Sequence, residues 1–326
     1  MVLTKAGSIL GPIATVLGYV MDILFRFTSS FGVFNVGLCI ILFTIVMKTL
    51  MIPLTIKQQK TTKLMSVMNP EIQAIQKKYK GKSDQESMQR QNVEIQAVYE
   101  KYGTSMTGGC LPLLIQMPIL FALYRVIYCI PAYVMPVKEH FLNVVYALTG
   151  TSSASVLSEG AAANLLQFAT DHNIALTGIN PIGDLTGVTG EALANKMVDI
   201  LYKLNPAQWN DLAQAFPNAA DVISTNASTI EKMNTFLGIN LASNPFNGSF
   251  VPSLAWLIPI LAGLTQYAST KLMMATQPKK NNEEDMSSQM MQSMNVTMPL
   301  MSVFFCFTFP AAIGIYWVAS STFQLL

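Results

Sequence analysis

Charge is missing from three long stretches of this chain, and that absence limits what it can fold into more than any other feature. Lys101 and Arg125 are separated by 23 uncharged residues, Lys232 and Lys271 by 38, and the 41 residues from Met286 to Leu326 carry no charge. A helix of about 20 apolar residues crosses the roughly 30 Å hydrocarbon layer of a bilayer, so these runs read as membrane spans. Composition agrees: of 326 residues 51% are apolar and 12% charged, against about 25% charged in soluble domains, and the mean hydropathy is +0.40. An ordinary soluble enzyme does not fit, and a formal net charge of +2 is too small to point to DNA or RNA.

Reactive side chains are sparse. Cys39, Cys110, Cys129 and Cys306 all sit in apolar stretches without CxxC or other metal-ligand spacing, so they read as small buried hydrophobes, neither bridged nor metal-bound. His140 and His172 are the two histidines, and HExxH, GxSxG and phosphate-loop patterns do not occur. Hydrolase, NTPase and metal chemistry therefore lack candidate residues, and no cofactor is expected.

The charged and polar segments organise the rest. Residues 6–27 place Leu10, Ile13, Leu17, Val20, Leu24 and Phe27 on one helical face with Ser8, Thr15, Asp22 and Arg26 opposite, which predicts an amphipathic helix in the membrane interface, within an N-terminal segment 1–32. A signal peptide is the competing reading, since Lys5 precedes the apolar stretch, but no small-x-small cleavage site follows. The first span is 33–56. Residues 57–103 are helical in pattern but polar, with nine Lys/Arg against five acids. Met65, Met68, Ile72, Ile75 and Tyr79 form a narrow seam, continued by Ile95, Val98 and Tyr102. Asn69 before Pro70 reads as an N-cap with proline at the first helical position, predicting a kink. Gly81 ends the first helix, Ser83 with Glu86 has the form of a capping box for the second, and Gly103 stops it. An antiparallel helical hairpin outside the bilayer results.

The second span is 107–128. Residues 129–251 are rich in Ala, Asn, Ser, Thr and Gly, with a plausible helix at 192–204 and no chemical signature. The third span is 253–273, a polar loop covers 274–293, and Pro310 divides the terminal stretch into spans at 294–309 and 310–326. The fold expected is all-α: five transmembrane helices, the interfacial helix and the hairpin. The positive-inside rule puts the basic hairpin in the cytoplasm. Residues 129–251, the N-terminus and the C-terminus then fall outside, outside and inside a bacterial plasma membrane.

Lys48 stands out within the first span. It lies nine residues before Lys57, roughly 13 Å from the end of its helix at about 1.5 Å per residue. A lysine at a helix centre costs about 2.5–3.5 kcal/mol on insertion scales, and all eighteen acids lie outside the five spans. Water, neutral polar groups or lipid phosphate must relieve it. Thr44 and Thr55 share its face, and the other spans also carry polar stripes: Gln116, Tyr124 and Tyr128; Gln266 and Thr270; Asn295, Ser302 and Cys306; Tyr316, Trp317, Ser320 and Gln324. One such stripe is ordinary interhelical hydrogen bonding, and for Gln116 and Gln266 that reading stands beside a groove-lining one. Tyr316 and Trp317 read equally as interfacial anchors or core residues. Polar stripes on all five spans with one unpaired cation point to a hydrated cavity. Eight of the twenty methionines fall between Met273 and Met301, adaptable side chains suited to varied apolar segments or to core filling. A solute transporter that binds through Lys48 is a rival reading, weakened by the lack of repeated halves; a membrane scaffold presenting the hairpin is another.

Three segments carry a resemblance: IVMKTLMIPLTIKQQKTTKLMSVMNPEIQAIQKKYKGK at 45–82, CLPLLIQMPILFALYRVI at 110–127 and FTFPAAIGIYWVASSTF at 307–323. Together they resemble the YidC/Oxa/Alb family of membrane protein insertases over most of 33–130 and 252–326. The resemblance implies a five-span core with a groove open to cytoplasm and lipid, in which Lys48 aligns with a cation that attracts acidic segments of short substrates. The family residue is usually arginine; lysine is a point charge more readily neutralised when desolvated. Thr44, Gln116, Gln266, Tyr316, Trp317 and Ser320 are the remaining expected groove residues. Pro70, Glu71, Lys77, Lys78 and Lys80 are the expected hairpin contacts for partners. The partners implied are nascent membrane proteins and the lipid bilayer, with ribosome, signal recognition machinery and Sec translocon beside them, and a monomer is the expected state.

Overall fold

The computed structural model describes residues 10–81, 84–103, 111–174, 185–246, 253–275 and 286–325. Helices dominate: α1 (Leu10–Ser30), α2 (Val36–Lys78), α3 (Gln85–Lys101), α4 (Leu111–Tyr128), α5 (Ile130–Tyr133), α6 (Met135–Thr149), α7 (Ala163–Asp171), α8 (Gly190–Tyr202), α9 (Pro206–Ala215), α10 (Ala220–Asn234), α11 (Leu257–Ala275), α12 (Met286–Thr308) and α13 (Ala311–Phe323). One antiparallel β-hairpin, β1 (Thr235–Phe236) and β2 (Ile239–Asn240), pairs Thr235 with Asn240 and Phe236 with Ile239. Among the described residues two windows are long and apolar enough to cross a membrane, Gly11–Ser30 in α1 and Val36–Lys57 in α2; α4, α12 and α13 hold shorter apolar segments. The chain forms two compact units, Met1–Phe43 with Ile119–Pro259 and Cys306–Tyr316, and Thr44–Pro118 with Ile260–Phe305 and Trp317–Leu326.

In the first unit α1 buries Ala14, Leu17, Gly18, Met21 and Phe25. Glycine at 18 lets α1 approach closely, since a Cβ there would meet the ring of Tyr133. Asp22 accepts a hydrogen bond from the backbone N–H of Met135 at 2.8 Å, at the start of α6. Val16, Tyr19, Ile23 and Phe27 remain exposed on α1. The helix therefore carries apolar side chains on both its packed and its open side, a broader apolar surface than the stripe from Leu10 to Phe27 predicts, and of that stripe Leu17 is buried whereas Phe27 is exposed.

The described residues of 129–246 build a helical domain, more extensive than the short helical patches expected there. Phe141 of α6 is fully buried, with ring centroids of Tyr202 at 5.8 Å and Trp209 at 6.1 Å. Seven residues of α8 are buried, including Leu193, Met197 and Leu201, which fits the helix expected near 192–204. Asn205 and Gln208 form a capping box that opens α9, with Pro206 in its first turn. Helix α10 closes the core with Ile223, Ile230 and Met233, and its buried Asn226 faces His140 Nδ1 at 2.9 Å. The β-hairpin follows. It docks on the first turn of α2, where Asn35 uses both halves of its carboxamide: Oδ1 accepts from the Leu38 N–H at 3.1 Å, and Nδ2 donates to the Thr235 carbonyl at 2.8 Å. Beyond it, the Ser243 and Leu241 carbonyls accept the Ala311 and Ala312 N–H groups at 2.9 and 3.1 Å. These are the donors that the first turn of α13 leaves without partners inside its own helix, and Pro310 marks the expected break before it.

In the second unit α2 continues without interruption through Pro53 and Pro70 to Lys78, so the expected helix start at Pro70 is not one. Asn69 Oδ1 instead accepts from Gln73 Nε2 at 3.3 Å along the same helix. Gly81 (φ 86°) and Gly103 (φ 64°) end the two arms in left-handed geometry, as glycine allows without steric cost. The cap of α3 is Asp84, whose side chain accepts from the Ser87 N–H at 2.9 Å, one residue later than the Ser83–Glu86 box. Ser83 lies outside the described residues, and Glu86 pairs with Arg90 at 2.6 Å. An aspartate in this place adds a negative charge at the positive end of the helix dipole. Of the expected seam, Met68, Tyr79, Ile95 and Val98 are buried and Ile72, Ile75 and Tyr102 half-buried, while the side chain of Met65 lies outside the described residues.

Candidate functional site: the lysine of α2 and the helical hairpin

Lys48 occupies α2 within its apolar window, half-buried, one turn after the fully buried Thr44. Among the described residues no ion pair includes it. Thr55, expected on the same face, donates its hydroxyl to the Met51 carbonyl at 3.0 Å and thus turns toward its own helix.

The remaining expected groove residues divide. Gln116 lies on α4, and its side chain is outside the described set. Gln266 of α11 accepts from the Ser321 hydroxyl of α13 at 2.9 Å, and one turn along Ser269 donates to Gln324 Oε1 at 3.2 Å. These are two rungs of an interhelical ladder, so in this structure Gln266 ties one helix to another. Ser321 and Ser269 did not stand out in the sequence; the signal was the matched three-residue spacing of Gln266 and Ser269 against Ser321 and Gln324. Trp317 stacks on Phe305 (centroids 6.3 Å apart, planes at 21°), and Ser320 is buried. Thr44, Lys48, Gln266, Trp317 and Ser320 belong to the second unit, whereas Tyr316 is buried in the first.

The hairpin is fastened by two matching clamps. Lys78 Nζ reaches Glu94 at 2.6 Å, and the neighbouring Tyr79 hydroxyl donates to the same carboxylate at 2.9 Å. At the other end Lys101 reaches Glu71 at 2.9 Å, and the Tyr102 hydroxyl donates to it at 2.6 Å. Each arm ends in a Lys–Tyr pair that grips a glutamate of the opposite arm. For Glu94 the hydrogen bond from Lys78 comes first and that from Tyr79 second in holding the carboxyl below its ordinary range; for Glu71 the order is Tyr102, then Lys101. Of the expected partner contacts, Glu71 and Lys78 are thus engaged within the hairpin, while Pro70, Lys77 and Lys80 are exposed outside both clamps. The sequence marks Lys78 as a partner contact and Tyr79 and Tyr102 as seam residues, and does not show that their polar ends meet across the arms. The repeated K-Y at 78–79 and 101–102 was the available clue.

Apolar helices, a basic clamped hairpin and a lysine inside an apolar helix define a helical membrane protein. Comparison with known proteins gives the family. The model of the 60Kd inner membrane protein family matches residues 26–157 and 212–326, and the chain belongs to that family. The match extends into 131–157 and 212–251, beyond the segments on which the resemblance rested, and leaves out 158–211. Over 309 residues the chain is 26% identical to a membrane protein insertase YidC of Oceanobacillus iheyensis, covering 94% of this chain and 79% of that protein. It is 25% identical to the membrane protein insertase MisCA of Bacillus subtilis over 291 residues, 89% of this chain and 68% of the other. A shorter stretch of 101 residues is 41% identical to the membrane protein insertase YidC 2 of Bacillus anthracis, covering 31% of this chain and 39% of that protein.

Proposed function

We propose that this chain is a membrane protein insertase of the bacterial plasma membrane, in which Lys48 supplies the positive charge of a hydrated groove. The observation that carries the reading is a lysine within the apolar window of α2 that forms no ion pair among the described residues, in a chain whose family relatives are named insertases. In this reading α2, α4, α11, α12 and α13 each cross the bilayer. The hairpin and C-terminus face the cytoplasm, and the N-terminus and residues 129–251 lie outside. A substrate's apolar segment moves along the lipid side while its short polar segment passes through the groove. Water part-way across the bilayer removes much of the penalty for unsatisfied polar groups, several kcal/mol each in hydrocarbon. Lys48 attracts acidic segments, and burial of the apolar span drives completion. No bond is made or broken. The exposed Lys77 and Lys80 with Pro70 form the face of the hairpin offered to ribosome, targeting or translocation partners.

Proteoliposomes that contain the chain test this directly. Protease-protected insertion of a single-span substrate should exceed that in empty liposomes and fall as its acidic outside segment is made neutral and then basic. Insertion no better than in empty liposomes would refute the insertase reading.

A further inference from the structure

The β-hairpin ends in a residue that a solvated turn does not call for. Its two turn residues, Leu237 and Gly238, both have positive φ, 51° and 80°, the arrangement of a two-residue turn that favours asparagine, aspartate or glycine at its first position. Leucine accepts this left-handed geometry at a steric cost, and its side chain is 78% exposed. Leu254 stands against the turn, 3.3 Å from where a Cβ on Gly238 would lie, and Leu254, Leu257, Phe31 and Phe34 are themselves exposed. The hairpin is anchored by Asn35 and by Phe236 against Gly37, at the residues that begin the apolar window Val36–Lys57. The hairpin that carries this apolar tip thus packs against the start of that window.

We propose that the hairpin is a wedge whose Leu237 tip enters the hydrocarbon of the outer leaflet and sets the helical domain of residues 129–251 against the bilayer surface. The occupant is lipid acyl chain: the apolar side chains adjoin the start of α2, and a span that begins at Val36 brings hydrocarbon to the level of Asn35. The charged residues Glu231 and Lys232 lie on α10, before the turn, which leaves the tip itself uncharged. The inference rests on the reading that α2 crosses the membrane, though not on insertase activity.

The full chain carrying Leu237→Cys, labelled with a bimane fluorophore and reconstituted in phosphatidylcholine vesicles, tests it against the unsubstituted chain treated identically as the background. Leu50→Cys, exposed on α2, reports on the span. Lipids brominated on the acyl chain should quench both labels while aqueous iodide quenches neither. If bromolipid quenches the label at 50 but iodide quenches that at 237, the wedge is overturned and the span stands. If neither agent reaches the label at 237, protein covers the tip, a second copy of this chain included, and the wedge is again overturned. Failure of bromolipid to quench at 50 would remove the span reading and the proposal with it. Insertion measured in the same vesicles reports separately on the insertase reading.

Discussion

Replacing Gly37 by alanine tests how the hairpin and the start of α2 are joined. A Cβ at Gly37 would lie 2.5 Å from Cγ, 2.7 Å from Cβ and 2.8 Å from Cδ2 of Phe236, well inside the roughly 3.5–4.0 Å at which carbon atoms pack. The ring alone could rotate away. Its Cβ cannot, because it is fixed to a strand held by the Thr235–Asn240 pairing and by the Asn35–Thr235 hydrogen bond at 2.8 Å. Overpacking of this kind costs about 1–3 kcal/mol. Alanine returns at most about 1 kcal/mol of helix propensity, and less at the second residue of a helix. The net expectation is a loss of about 1 kcal/mol, with overpacking deciding the sign. Phe236→Ala removes two of the three offending atoms, so the double variant should be more stable than the sum of the singles by at least about 0.5 kcal/mol. Denaturant unfolding in mixed micelles, followed by dye reaction at the buried Cys39, Cys129 and Cys306, measures each corner of the cycle. Additivity, or stabilisation by Gly37→Ala alone, would refute the reasoning.

Two further perturbations address the hairpin and the helix ladder. The carboxyls of Glu71 and Glu94 are held below their ordinary value of 4.5, so the clamps contribute fully above that value and are lost as pH falls through the lowered folded-state values. Proteolysis of the hairpin should therefore accelerate on acidification below about pH 4.5, and Glu94→Gln should raise the basal rate and flatten that profile; an acid response unchanged in Glu71→Gln/Glu94→Gln would contradict the assignment. Ser321→Ala removes one rung between α11 and α13 and should cost about 0.6 kcal/mol, the average for such bonds within membranes. It should leave substrate selectivity unchanged, and a shift in preference for acidic substrates at constant stability would instead make Gln266 a groove residue.

What the sequence made legible follows from which forces are local. Charge-free runs and Pro310 bring out the shorter apolar segments of α4, α12 and α13, because apolar character is a local property of the sequence, whereas the two windows long enough to cross a membrane, in α1 and α2, carry charges and lie outside those runs. Gly81 and Gly103 mark the arm ends because left-handed geometry is a property of the residue itself. The seam Met68, Tyr79, Ile95 and Val98 was visible as spacing. Local signals misled where tertiary contacts decide. Asn69–Pro70 reads as a helix start but lies inside the continuous helix α2, and the α3 cap fell on Asp84, one residue after the expected serine. Of the domain within 129–246 only the helix near 192–204 was legible, because its core, Phe141 with Tyr202 and Trp209, joins residues more than sixty positions apart. Asn35, which caps α2 and holds the hairpin, looks in sequence like any loop asparagine. The hydrogen bond of Gln266 to Ser321 was not legible, because it joins residues 55 positions apart.

The charge of Lys48 is central to the proposed insertion mechanism. Wild type, Lys48→Arg and Lys48→Glu, each reconstituted at equal density, should be compared for protease-protected insertion of a single-span substrate with an acidic outside segment. Wild type and Lys48→Arg should insert it, and Lys48→Glu should not. Equal insertion by all three would contradict that mechanism.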